Sequence, residues 1–218
     1  MSFTDLTYRL ILILSKLIFQ PTIVKVEGKE NLPKNKGFII AANHVNSFDP
    51  FVIGVALGDV LTRDFLSKGK KLFYIGDLAL RKRIYSFFLG QNLGYLPAKK
   101  DSVNIAVQLL RAGNIIGIFP EGHRTRGSKL LKGKKGVGFI ALLSGAPVIP
   151  TACFGLPSFG FSQGLKSLIS SKKVIFGPQL EFFTKDYNYL IQHLAVVEQA
   201  VDMIMLEIAK LKELRYEF

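Results

Sequence analysis

Two short blocks carry the residue types that could do chemistry. The first is Asn43-His44-Val45-Asn46-Ser47-Phe48-Asp49. It opens where an apolar run, Phe38–Ala42, ends, and it closes at Asp49-Pro50. His44 and Asp49 are five residues apart, so on one continuous helix they would not share a face. Across a strand-to-helix turn the chain can fold Asp49 back onto the imidazole. A carboxylate on one ring nitrogen fixes the tautomer and leaves the other nitrogen free as a base. That is the base and its orienting partner without a protein nucleophile, so the nucleophile would come from a substrate such as an alcohol. The same spacing also fits a plainer reading, in which Asp49 only caps the helix begun by Pro50 and His44 is a satisfied loop histidine.

The second block is Phe119-Pro120-Glu121-Gly122-His123-Arg124-Thr125-Arg126, again after an apolar run. Two arginines and a glycine in a strand-end loop suit phosphate, because a guanidinium grips two oxygens at once. A solvated basic turn has the same composition. His123 reads as polar surface. A third stretch, Lys129–Gly138, is rich in lysine and glycine but lacks the Gly-Lys-Ser/Thr of a P-loop. It reads as a basic loop feeding a helix N-terminus. The other two histidines, His123 and His193, have no ligand-like spacing to His44, so no metal site is expected. Cys153 lies in a late apolar run and reads as core rather than as a nucleophile.

The elements that must position these blocks follow from periodicity. Short apolar runs at Ile23–Val26, Gly37–Ala42, Phe65–Ser67, Leu93–Leu96, Ile115–Phe119, Val148–Cys153 and Lys173–Phe176 read as strands. Helices are expected at Phe51–Leu57, Leu72–Leu89, Val103–Arg111 and Gly138–Leu143. A long last helix keeps one stripe from Leu190 to Leu211. Buried strands alternating with amphipathic helices predict an α/β fold, a mostly buried mixed sheet flanked by helices. In such sheets sites gather beyond the strand ends, where both blocks fall.

The 218 residues suit one main domain, 22–218, preceded by a segment of its own character, 1–21. Leu10–Leu14 is an unbroken apolar run, followed by Leu17, Ile18 and Phe19. It is too short to span a bilayer, which takes about 20 apolar residues, and it lacks the layout of a signal peptide. The expectation is a helix lying in one leaflet, with Arg9 and Lys16 reaching the headgroups. A net charge of +13 and 49% hydrophobic residues fit an anionic membrane surface. Charge alone would also permit nucleic acid, but no recognition motif accompanies it and the apolar N-terminus would be unexplained. With one cysteine no internal disulfide can form, which suits an intracellular protein.

Together the blocks resemble the 1-acylglycerol-3-phosphate acyltransferase family. That family carries Asn-His-x-x-x-x-Asp, matched by Asn43, His44 and Asp49, and Phe-Pro-Glu-Gly-Thr-Arg-Ser, matched by Phe119 to Thr125 with His123 in place of the threonine. The blocks stand in the family's order, roughly 75 residues apart. Lys68, Lys132-Gly133 and Val148-Ile149-Pro150 extend the match over about residues 22–180. A family arginine is missing after Gly94-Tyr95-Leu96, where Lys99 or Lys100 stands instead.

The resemblance implies transfer of a fatty acyl group to the sn-2 hydroxyl of lysophosphatidic acid, with His44 as base and Asp49 as its partner. The donor would be acyl-CoA or acyl-carrier protein, with no acyl-enzyme and no further cofactor. Glu121, Gly122 and Arg124, with Asn43 and Lys68, would hold the glycerol phosphate. The protein would sit on the cytoplasmic face of a membrane. A lyso-ornithine lipid, glycerol-3-phosphate or another lysophospholipid would fit the same chemistry as acceptor.

Overall fold

The computed structural model describes residues 3–76, 94–99, 101–125, 130–157, 166, 168–183 and 186–213. Among these, seven strands form one sheet: β1 (Ile23–Glu27), β2 (Ile39–Ala42), β3 (Leu72–Gly76), β4 (Tyr95–Pro97), β5 (Ile115–Ile118), β6 (Val148–Phe154) and β7 (Lys172–Phe176). Their order is β1-β7-β6-β2-β5-β3-β4. All neighbours run parallel except β6 and β7, which are antiparallel. The mixed, mostly buried sheet is the one the pattern predicts.

The helices are α1 (Phe3–Phe19), α2 (Asp49–Leu57), α3 (Ser102–Arg111), α4 (Lys135–Ser144), α5 (Tyr187–Gln192) and α6 (Leu194–Lys212). Side chains alternate across β2, and that alternation divides the core. Ile40 and Ala42 face a cluster built with α1 and α2 through Tyr8, Phe19, Val52 and Ile53. Ile39 and Ala41 face the other, built with α3, α4 and α6 through Ala106, Leu110, Ile140, Ile204 and Ile208. Residues buried on both faces need no polar alternation, which is why β2 (Ile-Ile-Ala-Ala) and β5 (Ile-Ile-Gly-Ile) are continuous apolar runs. Pro97, which cannot donate to a ladder, ends the edge strand β4.

Three expectations change. Phe65–Ser67 is not a strand: Val60–Phe65 winds as a π-helix and Leu66–Lys68 as a 3-10 turn. Phe65 and Leu66 are still buried, and so short an apolar run has no period to tell the two forms apart. Leu72–Gly76, expected to open a helix, is strand β3, completed by its parallel neighbours β5 and β4. Residues 77–93, the rest of that expected helix and the start of the expected Leu93–Leu96 strand, lie outside the described residues. The last helix is broken at His193 (φ −123°, ψ 57°), between α5 and α6. Leu190, Val197, Val201, Ile204 and Ile208 are buried on both sides of the break, but Leu194, next to it, is exposed, so the expected stripe is interrupted there.

Helix α1 is not a free appendage. Tyr8 is buried, and its hydroxyl donates to Leu72 O (3.2 Å) while accepting from Leu72 N–H (3.1 Å). The Arg9 guanidinium, expected at headgroups, donates to Leu66 O (3.3 Å). The opposite side leaves Leu6, Leu10, Ile13, Leu14, Leu17 and Ile18 exposed, Leu17 by 68%. No helix among the described residues is long and apolar enough to cross a membrane.

Candidate active site

Strands β2, β5 and β6 end side by side, and the two blocks leave from the ends of β2 and β5. Asn43 fixes the first. Its side chain bonds both ways to the main chain of β6, accepting from Cys153 N–H at 2.8 Å and donating to Cys153 O at 3.3 Å. Both polar groups are thus engaged within the fold. Asn43 seats the loop that begins at His44.

The loop then turns back on itself. His44 Nδ1 lies 2.8 Å from Asp49 Oδ2, and the N–H groups of Val45 and Asn46 donate to the same oxygen, each at 2.8 Å. Asp49 stands in the first turn of α2 and is fully buried. Its carboxylate does not cap its own helix. It gathers the residues before it. That decides between the two readings of the spacing: Asp49 orients His44, and the carboxylate on Nδ1 makes Nε2 the basic nitrogen. Asp49 Oδ1 is buried with no hydrogen-bond partner among the described residues. The imidazole, 19% exposed, stacks on Phe119 (centroids 4.1 Å, planes 18° apart), and Phe119 stacks on Tyr74 (5.9 Å, 9°). The Tyr74 hydroxyl donates to Pro50 O at 3.0 Å, next to Asp49. Burial first, and then neighbouring Cys153, Tyr8 and Asp49, hold that phenol well above its usual range, so it stays neutral.

The second block is tied to the first by Glu121. Glu121 Oε1 accepts from His44 N–H (2.9 Å) and Oε2 from Leu131 N–H (3.0 Å). The side chain is buried, and burial raises its pKa against the lowering pull of those two bonds. Thr125 completes the seam, its N–H (2.8 Å) and Oγ1 (3.2 Å) both donating to His44 O. Gly122 turns in the left-handed region (φ 69°). Arg124 is exposed, with Nη1 donating to Ser47 Oγ at 2.6 Å.

The expected residues therefore divide. His44, Asp49, Glu121, Gly122 and Arg124 come together at one end of the sheet, Glu121 as a tie between loops and Arg124 as an exposed side chain bonded to Ser47. Lys68 is not brought there. It precedes β3, at the end of the sheet where the parallel strands begin, and its Nζ donates to Asn35 Oδ1 at 3.0 Å. Lys99 follows edge strand β4, with its N–H on Ser102 Oγ (3.2 Å). Lys100 and Arg126 lie outside the described residues. Cys153 is buried; burial, and then the Asp49 charge, push its thiol well up, which leaves it neutral and a poor nucleophile. Lys212, at the end of α6, donates to the same Cys153 O (3.1 Å) and lies 4.1 Å from the Phe154 ring centre.

Tyr74 and Lys212 are not marked out by the sequence. Tyr74 lay in a segment read as helix. Lys212 is one basic residue among many at a helix end. The signal that was available for the glycine-rich loop was Gly122 itself, whose missing side chain leaves room for Lys134.

A buried carboxylate behind a stacked histidine, faced by an arginine loop on a mixed α/β sheet, defines a class. The acyltransferase family model matches residues 23–154, and the chain belongs to that family. Among its relatives is the 1-acyl-sn-glycerol-3-phosphate acyltransferase of Bacillus subtilis, 37% identical over 153 residues, which cover 67% of this chain and 71% of the relative. The enzyme of the same name from Borreliella burgdorferi is 29% identical over 168 residues, 74% of this chain and 65% of its own. The crystal structure of the 1-acyl-sn-glycerophosphate acyltransferase PlsC from Thermotoga maritima shares the fold, with a TM-score of 0.61 over 97% of this chain and 81% of that one, at 24% identity.

Proposed function

We propose that this protein transfers a fatty acyl group from a thioester donor, acyl-CoA or acyl-carrier protein, to the sn-2 hydroxyl of lysophosphatidic acid, giving phosphatidic acid. The observation that carries the chemistry is the His44–Asp49 pair, with Nδ1 on the carboxylate and the buried Cys153 thiol held neutral. His44 Nε2 takes the proton of the acceptor hydroxyl as its oxygen bonds to the thioester carbonyl carbon. The tetrahedral adduct collapses, the C–S bond breaks, and the imidazolium returns the proton to the leaving sulfur. An ester and a free thiol result, and the base is restored. Asp49 holds the tautomer and stabilises the imidazolium between the two steps. Arg124 receives the acceptor phosphate, while Glu121 and Gly122 shape the loop that presents it. No cofactor beyond the donor is needed.

The exposed apolar side of α1 supports a place at a membrane surface, with its leucines and isoleucines in the interface. The relatives' names support the acceptor.

The test is thiol release from oleoyl-CoA or an acylated carrier protein, in detergent, with and without lysophosphatidic acid. Release that requires the acceptor and is lost in His44→Ala is expected. Acceptor-independent release, or near-normal turnover by a folded His44→Ala, would sink the mechanism. Release that requires glycerol-3-phosphate or a lyso-ornithine lipid instead would reassign the acceptor and keep the dyad.

A further inference from the structure

His123 occupies the position where the family block carries threonine. Its imidazole is exposed, and Nε2 lies 3.3 Å from Lys134 Nζ. Lys134 directly precedes α4, and its own N–H donates to Pro120 O at 2.8 Å, which roots the side chain beside the second block. From there the stem runs across Gly122. A Cβ on Gly122 would stand 2.5 Å from Lys134 Cε and 2.6 Å from Nζ. Glycine at 122 thus answers two needs, a left-handed turn and room for this lysine.

The ammonium so placed has no carboxylate within ion-pair distance among the described residues. Glu121, its neighbour across the turn, spends both oxygens on backbone N–H groups. The next lysine, Lys135, is neutralised by Glu198 at 2.8 Å. An imidazole nitrogen accepts a hydrogen bond from Lys134 only while it is unprotonated, and it supplies no negative charge. Meanwhile Thr125 binds this loop to His44 O, and Arg124 points from it to Ser47 Oγ. Arg124 and Lys134 therefore both lie between β5 and α4, on the stretch of chain that Thr125 bonds to His44 O.

We infer that Lys134 is a second cation for the acceptor's phosphate, held across Gly122 by His123, and that it selects acceptors with a phosphate monoester head. This rests on the function proposed above. The donor also carries phosphate. In lysophosphatidic acid, however, the phosphate is on the carbon next to the one bearing the attacking hydroxyl, so it must lie close to His44. The phosphates of the donor stand a whole pantetheine arm from the thioester. Lys134, on the loop bonded to His44, suits the nearer one.

The experiment measures KM and kcat for both substrates in the wild type, Lys134→Met, Lys134→Arg, His123→Ala and the double variant His123→Ala/Lys134→Met. Methionine keeps the stem and removes the charge. Lys134→Met should raise KM for lysophosphatidic acid about tenfold, with KM for the donor changed less than about twofold and kcat falling less than KM rises. Lys134→Arg should recover most of the loss. His123→Ala should raise the same KM by a smaller factor, and the double variant should be no worse than Lys134→Met, because a positioned group has nothing left to position. With a monoacylglycerol, which lacks the phosphate, Lys134→Met should cost nothing further. An unchanged KM for lysophosphatidic acid, a rise confined to the donor, or a loss that arginine does not restore would each overturn the inference. A wild type that ignores lysophosphatidic acid altogether would instead defeat the functional reading beneath it.

Discussion

Replacing Asp49 with asparagine removes one charge and almost no volume. Asp49 Oδ2 accepts three hydrogen bonds while Oδ1 accepts none, so asparagine has one comfortable orientation. Its oxygen takes the place of Oδ2 and keeps Val45 N–H, Asn46 N–H and the His44 tautomer. Its amide nitrogen falls where Oδ1 had no partner. The loop should survive, at a cost of about 1–3 kcal/mol for a buried N–H₂ without an acceptor. What is lost is the charge facing the imidazolium. Two unit charges about 4 Å apart, at an effective dielectric constant of about 20, attract by about 4 kcal/mol. At about 1.4 kcal/mol per decade, that is a fall in kcat of about 10³-fold. KM for both substrates should change little, because Asp49 is fully buried and touches neither. Thiol release under saturating acceptor gives kcat, and circular dichroism melting gives stability. A folded Asp49→Asn variant that keeps more than about a tenth of wild-type kcat would refute the assignment. The carboxylate would then be architectural, and the base would have to be sought elsewhere.

Two further outcomes are expected. Glu121 has a pKa raised by burial, so the native state holds its proton more tightly than the unfolded chain does. Its contribution to stability is present below the ordinary carboxylate value and is lost as pH rises through the raised one. Glu121→Gln keeps one acceptor oxygen for two N–H donors and should be less stable at every pH. The gap should be widest in acid and narrow toward neutrality in melting curves; a gap that widens with pH would contradict the shift. Leu14→Asp with Leu17→Asp changes exposed residues on α1, so melting should stay close to wild type while sedimentation with phosphatidylglycerol vesicles falls at least tenfold. Undiminished sedimentation would remove α1 from the membrane contact.

Much of this molecule was legible because its strands are short apolar runs that stop at polar blocks. Ile39–Ala42 and Ile115–Ile118 need no partner information to be seen, and the chemistry begins at the next residue in one case and within three in the other. The His44–Asp49 pair was half legible. Spacing permitted an orienting contact and a simple cap alike, and only the fold back of Val45 and Asn46 onto the carboxylate separates them. Leu72–Gly76 escaped because its apolar and basic neighbours suit a helix, and its strand form is decided by β4 and β5 beside it. Lys68 shows the limit of a linear match. A lysine before a strand cannot reach the far end of that strand, and local sequence does not say at which end of the sheet it will lie. Glu121 was found for its place in the block, but its two bonds run to residues 77 and 10 positions away, which no local pattern encodes.

The clamp that seats the His44 loop joins Asn43 to Cys153 across 110 residues of chain. At about 5–20 residues per second, a ribosome takes on the order of 5–20 s to deliver the second half of that clamp after the first. Throughout that interval the segment bearing His44 exists without its seat. Helix α1 has by then long left the exit tunnel, with its leucines and isoleucines exposed. Birth order thus separates two events that the finished molecule presents together: an apolar face is offered early, and the seat of the His44–Asp49 pair is assembled late.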